Sequence, residues 1–200
     1  MTFPIEFRWR EDPPEDFGIP YRPNVRSEGE NFGYFDLKRD LGRIDDIPEL
    51  RDWPPLRKMV QTVNEPTSFF RTVACDTGIL DTSGDPPLKR VGCYFRIAFE
   101  ILKWNLDKEN YHYLFDAIYQ RCSSTRLTNK VVVAGGIKPT HFNDHGVFGW
   151  TLMIDVSGYA PTEQEARESW TQAMELLENI FIEISADKAD QLTSGEATIS

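Results

Sequence analysis

Val91-Gly92-Cys93-Tyr94-Phe95-Arg96-Ile97-Ala98-Phe99-Glu100-Ile101, residues 91–101, is the stretch that decides the fold. Val91, Cys93, Phe95, Ile97, Phe99 and Ile101 turn one way, and Gly92, Tyr94, Arg96, Ala98 and Glu100 turn the other. A period of two over this length predicts a half-buried strand. Upstream, residues 68–77 are rich in β-formers, and residues 78–88 hold Gly78, Gly84, Pro86 and Pro87 and so read as a loop. Downstream, Asn105 or Asp107 caps a helix whose apolar stripe is Tyr111, Leu114, Phe115, Ile118 and Cys122.

The same order then returns. Residues 129–137 read as a strand and 138–146 as a loop, after which 147–159 alternate with Phe148, Trp150, Leu152, Ile154 and Val156 inward. Pro161-Thr162-Glu163-Gln164-Glu165 has the form of a capping box, and the helix beyond it carries Ala166, Trp170, Ala173, Met174, Leu177, Phe181 and Ile184 on one stripe. The two helix stripes match at a shift of 59 residues, and Gly92 and Gly149 lie 57 apart. One hairpin and one helix cannot bury their apolar faces alone, whereas two such units can. The expected fold is therefore α+β: two consecutive β-β-α units forming a four-stranded, mainly antiparallel sheet with helices on one face. A helix with Leu56, Met59, Val60 and Val63 on one side precedes it.

Residues 54–184 are expected to form this domain, and 185–200, which are polar and without a stripe, a frayed tail. Residues 1–53 carry Pro4, Pro13, Pro14, Pro20, Pro23 and Pro48, which favour extended or turn structure. Phe3, Phe7, Trp9, Phe17, Tyr21, Phe32, Tyr34 and Phe35 recur among them, and disorder is usually poor in aromatics. The segment reads as an irregular arm lying on the domain, with a short strand at 5–9. A second subunit, giving a homodimer, is the alternative place for it to pack.

The chain has 40% hydrophobic and 27% charged residues, an ordinary globular balance, and no run of about 18 apolar residues. Mixed charges at the N-terminus argue against a secretory signal. Cys75, Cys93 and Cys122 are an odd number without CxxC spacing, which fits reduced thiols in the cytoplasm. The net charge is −10, and Lys and Arg are scattered, which disfavours nucleic acid and anionic membranes and allows a basic protein partner.

Few motifs suggest chemistry. The loop Lys138-Pro139-Thr140-His141-Phe142-Asn143-Asp144-His145-Gly146 brings His141, Asp144 and His145 close in sequence, the residue types of metal sites and acid–base pairs, with Asp76 or Asp81 of the first hairpin loop as a further ligand. A polar hairpin turn is the plainer reading. Ala134-Gly135-Gly136 leads to a strand and reads as a bend rather than a phosphate cradle. No cofactor or metal is implied. If helices cover only one face of the sheet, Tyr94, Arg96, Glu100, Thr151 and Met153 lie on the open face and form a docking surface. Two functions follow: an acidic cytoplasmic protein-binding module without catalytic activity, or a small-ligand or metal-dependent enzyme centred on the His141–His145 loop. In general character the chain resembles acidic α+β modules such as immunity proteins, inhibitors and secretion chaperones, a likeness of class alone.

Overall fold

The computed structural model describes residues 2–11, 15–26 and 29–193. The arm contributes β1 (Phe3–Pro4), β2 (Glu6–Trp9), β3 (Gly18–Ile19), β4 (Asn24–Arg26) and β5 (Gly29–Asn31), followed by 3-10 turns at Leu41–Asp46 and Pro48–Leu50. Then come α1 (Pro54–Asn64), the hairpin of β6 (Phe70–Asp81) and β7 (Lys89–Phe99), a single turn α2 (Leu102–Asn105) and α3 (Glu109–Cys122). After β8 (Arg126–Leu127), the hairpin of β9 (Lys130–Phe142) and β10 (Val147–Ala160) leads into α4 (Glu163–Thr193).

The central sheet runs β2-β9-β10-β7-β6, and β3 pairs β9 further along. It has six strands where the sequence predicts four. The additional two come from the arm, and both lie parallel to β9. Each of the four long strands is antiparallel to its long-strand neighbours. Helix α4 lies across β10 and β7, α1 packs on α4 and β6, and α3 packs on β9, β10 and α4. Their stripes enter one core with Val91, Cys93, Phe95, Ile97, Leu152, Ile154 and Val156.

Several polar contacts fix this layer. Thr162 and Glu165 cap α4 reciprocally: each backbone N–H donates to the other's side chain at 3.3 Å. Glu178, buried in α4, takes Lys58 Nζ at 3.0 Å and Thr62 Oγ1 at 2.9 Å, locking α4 to α1. Buried Asn64 ends α1 by donating to Val60 O and Thr72 Oγ1, both at 2.7 Å, while its Oδ1 accepts from Thr72 N at 3.2 Å. Gly158 lies where a Cβ would stand 2.3 Å from Ala166 O, so only glycine lets α4 cross the sheet this closely.

The structure departs from the sequence expectation in other places. β6 continues through Gly78 to Asp81, and β9 continues through Pro139 to Phe142. Pro139 is tolerated because it falls in the gap between the positions paired by β2 (132–135) and by β3 (141–142), where its missing N–H faces no partner strand. Gly135-Gly136 keeps a continuous register with Ile154 and Met153 and forms no turn or bulge: a Cβ on Gly135 would stand 2.4 Å from the Phe115 ring, so the glycine serves helix packing. Ile101 lies beyond the end of β7 and is exposed. α4 runs on to Thr193, helped by Arg121, which pairs with Glu183 at 3.5 Å and Asp187 at 2.8 Å. The expected tail at 194–200 lies outside the described residues.

The second face of the sheet is also covered. Ile19, Val73, Ala98 and Phe142 form a smaller core there, and Phe17, Tyr21 and Tyr34 of the arm pack on it. His141 N donates to Phe17 O at 2.8 Å, which fastens the arm to β9.

Candidate functional site

The docking surface expected on that second face is changed by the arm. Arg96 is 2% exposed and Thr151 is fully buried. Arg96 Nε donates to Thr151 Oγ1 at 2.5 Å, and its Nη2 to Thr140 Oγ1 at 2.8 Å and Pro139 O at 3.0 Å. Its Nη1 pairs with Glu15, and the guanidinium stacks 3.9 Å from the Phe17 ring centroid. These two residues hold the arm and do not face solvent. Met153 is half-buried, and exposed Glu100 pairs with Arg71 at 2.7 Å. Tyr94, also half-buried, belongs to a different feature, the cleft described below.

The His141–His145 segment does not converge on one point. His141 ends β9, exposed, with its Nε2 3.9 Å from Asp16 and its ring 5.2 Å from Phe148. Asp144 and His145 lie in a 3-10 turn, Asn143–His145, that Gly146 closes at φ 62°. They line a cavity of about 70 Å³ that His141 does not reach. The loop expected to face them lies elsewhere. Ala160 pairs with Lys89 and Leu152 with Ile97, so the 82–88 turn and the 143–146 turn sit at opposite ends of the sheet. Asp81 is paired with Lys89 at 2.6 Å. Among the described residues no group of three His, Cys, Asp or Glu is placed to hold a metal.

A cleft of about 610 Å³ opens at the β6 edge of the sheet. That size suits a small-molecule or side-chain site, for which about 300–1,000 Å³ is usual. It opens where the two cores meet. Leu37, Ile47 and Val60 come from the main core, and Phe17, Tyr21 and Tyr34 from the packing on the second. Phe32, Phe35 and Tyr94 add further rings, and Thr72, Val73, Ala74, Cys75 and Asp76 supply five consecutive residues of β6 as one wall. Tyr34 N donates to Tyr21 O at 3.0 Å, and the Tyr21 ring lies 5.4 Å from Phe17 and 6.1 Å from Tyr34, so the aromatic wall supports itself. Lys38 anchors the following segment by donating to Glu65 O at 2.6 Å and Ser68 O at 2.7 Å.

Among the described residues, the charged ones lining this cleft are Glu49 and Asp76, both acidic. Glu49 is half-buried, and burial, helped by the nearby Asp76 charge, holds its carboxyl above the usual range. Burial, then Glu49 and Asp76, pushes the Cys75 thiol up to about 12. Burial and then Asp76 push Tyr94 up to about 12. Burial also raises the phenols of Tyr21 and Tyr34. Desolvation dominates each shift; acidic neighbours add to it at Glu49, Cys75 and Tyr94, while the Arg71 charge opposes it at Tyr34 and the Arg96 charge opposes it at Tyr94. Sequence reasoning did not assemble this site. Its signal was the aromatic density of the proline-rich arm, which no helix or strand stripe used.

The chain matches no family model, no curated protein and no solved structure.

Proposed function

We propose that the protein is an acidic binding module of the cytoplasm, without catalytic activity, that recognises a cationic group presented by a protein partner. The observation that carries this reading is the 610 Å³ cleft, whose described lining combines Glu49 and Asp76 with six aromatic rings, of which Phe17 and Phe35 already stack on Arg96 and Arg43 and the tyrosines and Phe32 remain. Ring faces attract cations, at about 0.5–2 kcal/mol per contact, and a partly desolvated carboxylate without a counter-charge favours one strongly. The net charge of −10 would draw a basic partner from a distance. The free thiols of Cys75, Cys93 and Cys122 suit a reducing compartment, and burial holds all three protonated, which makes them poor nucleophiles.

NMR titration with arginine amide tests the reading. Resonances of Glu49, Cys75 and Tyr94 should shift saturably. Citrulline amide, which keeps the same α-amino group and lacks the guanidinium charge, should bind about tenfold more weakly, a difference of about 1.4 kcal/mol. The double variant Glu49→Gln, Asp76→Asn should lose that preference. Equal response to the two amides, or none to arginine amide, would rule the cation site out.

A further inference from the structure

Beyond the recognition of a cation, the cleft lies along the unpaired outer edge of β6. We infer that an extended, basic segment of a partner protein adds to the outer edge of β6, seated between that edge and the aromatic arm; this rests on the cation site proposed above. The sheet ends at β6, and no described strand pairs its outer side over twelve residues. The register shows which backbone groups face outward. Thr72 N–H is taken by Asn64 Oδ1 and Thr77 N–H by its neighbour Asp76 Oδ1, so both point away from β7. They lie opposite Ile97 and Cys93, and the alternation of an antiparallel ladder places Cys75, opposite Phe95, and Ile79, opposite Val91, in the same set. The bulge between Thr72 and Ala74 keeps this phase consistent along the strand.

An added strand of five residues, about 16 Å long at about 3.3 Å per residue, would pair with residues 75–79, entering the cleft at Cys75 and Asp76 and running out along the open edge, since Thr72 N–H is already taken. Its side chains would alternate between two surfaces. One is apolar, formed by Leu37, Ile47 and Val60, and the other carries Asp76 and Tyr94. The preferred sequence therefore alternates apolar and basic residues. A second copy of this chain is a poor occupant: pairing β6 with itself would bring together two edges that each carry Asp76 and Asp81, between molecules each carrying −10. Long open edges are usually blunted, and among the described residues the blunting here is the bulge, the side-chain caps on Thr72 and Thr77, and those acids, which repel like charge and accept basic partners.

The test uses the hexapeptide acetyl-Lys-Val-Lys-Val-Lys-Val-amide with the whole chain. Calorimetry reports binding, and amide hydrogen exchange by NMR reports its site. The expected result is binding, with exchange at Cys75, Thr77 and Ile79 slowed by at least about tenfold. The variant Thr77→Pro removes an outward amide and no bond to β7, so it should weaken hexapeptide binding about tenfold while arginine amide still binds and the melting temperature holds. If the hexapeptide binds and those amides exchange at the free rate, strand addition is wrong and the cation site stands. If neither the hexapeptide nor arginine amide binds, both fall together. If arginine amide binds and the hexapeptide does not, strand addition alone is overturned.

Discussion

Arg96 shows how much one side chain can change a face of the sheet. A buried guanidinium is expensive unless every N–H is met and a counter-charge is at hand. Here two threonine hydroxyls, one carbonyl, one carboxylate and one ring meet it. The period-two pattern correctly placed Arg96 away from the helices. It did not indicate solvent or burial, because the residues that bury Arg96 are Glu15 and Phe17, about 80 positions earlier. Thr151 was hidden for the same reason. The expected consequence is structural. Arg96→Met should lower stability by about 2 kcal/mol in urea denaturation, because the pinned arm loses its anchor and two buried hydroxyls lose a charged donor. Protection of the His141 amide, which donates to Phe17 O, should fall with it in hydrogen exchange. A stability unchanged from wild type would mean that the arm is held by other contacts.

At the scale of elements, legibility follows locality. The stripes of α1, α3 and α4 and the inward positions of β7 were readable because each is set by residues within a few positions of one another. The capping box at Thr162–Glu165 was readable for the same reason, and it forms as the sequence implies. Thr162→Ala should cost about 1 kcal/mol, read as a lowered urea midpoint at unchanged slope. Ends were harder to read. Gly78 and Pro139 signal loops locally, but both sit in strands because the tertiary setting removes their penalty. Gly78 lies on an open edge with nothing near its missing Cβ, and Pro139 lies in an unpaired gap of β9. The reading of α4 as ending near 184 failed because a helix already nucleated and packed can continue through polar residues at little cost.

For the whole molecule, the main element that pattern reading missed is the arm. Its strands are two to four residues long, too short for any periodicity, and its partners are distant in sequence. The arm nevertheless adds two strands, covers the second face and builds most of the cleft. The cleft also sets a pH dependence. Glu49 titrates above the usual carboxylate range, and a cation is held by its ionised form. Affinity for a cationic ligand should therefore be full well above that raised value and decline as pH falls through it, because protonation removes the negative charge. Linkage requires the converse: a bound cation favours the carboxylate and lowers its pKa. Asp76 and the protonated Cys75, Tyr21 and Tyr94 surround the same space, and none of them supplies a competing positive charge.

The most direct measurement is a pH titration of the Glu49 side-chain carboxyl by carbon-13 NMR, on the whole chain, free and saturated with arginine amide. The account predicts a free midpoint above that of an ordinary glutamate and a clear fall in that midpoint on saturation. A midpoint that is ordinary when free, or the same with and without the ligand, would contradict it.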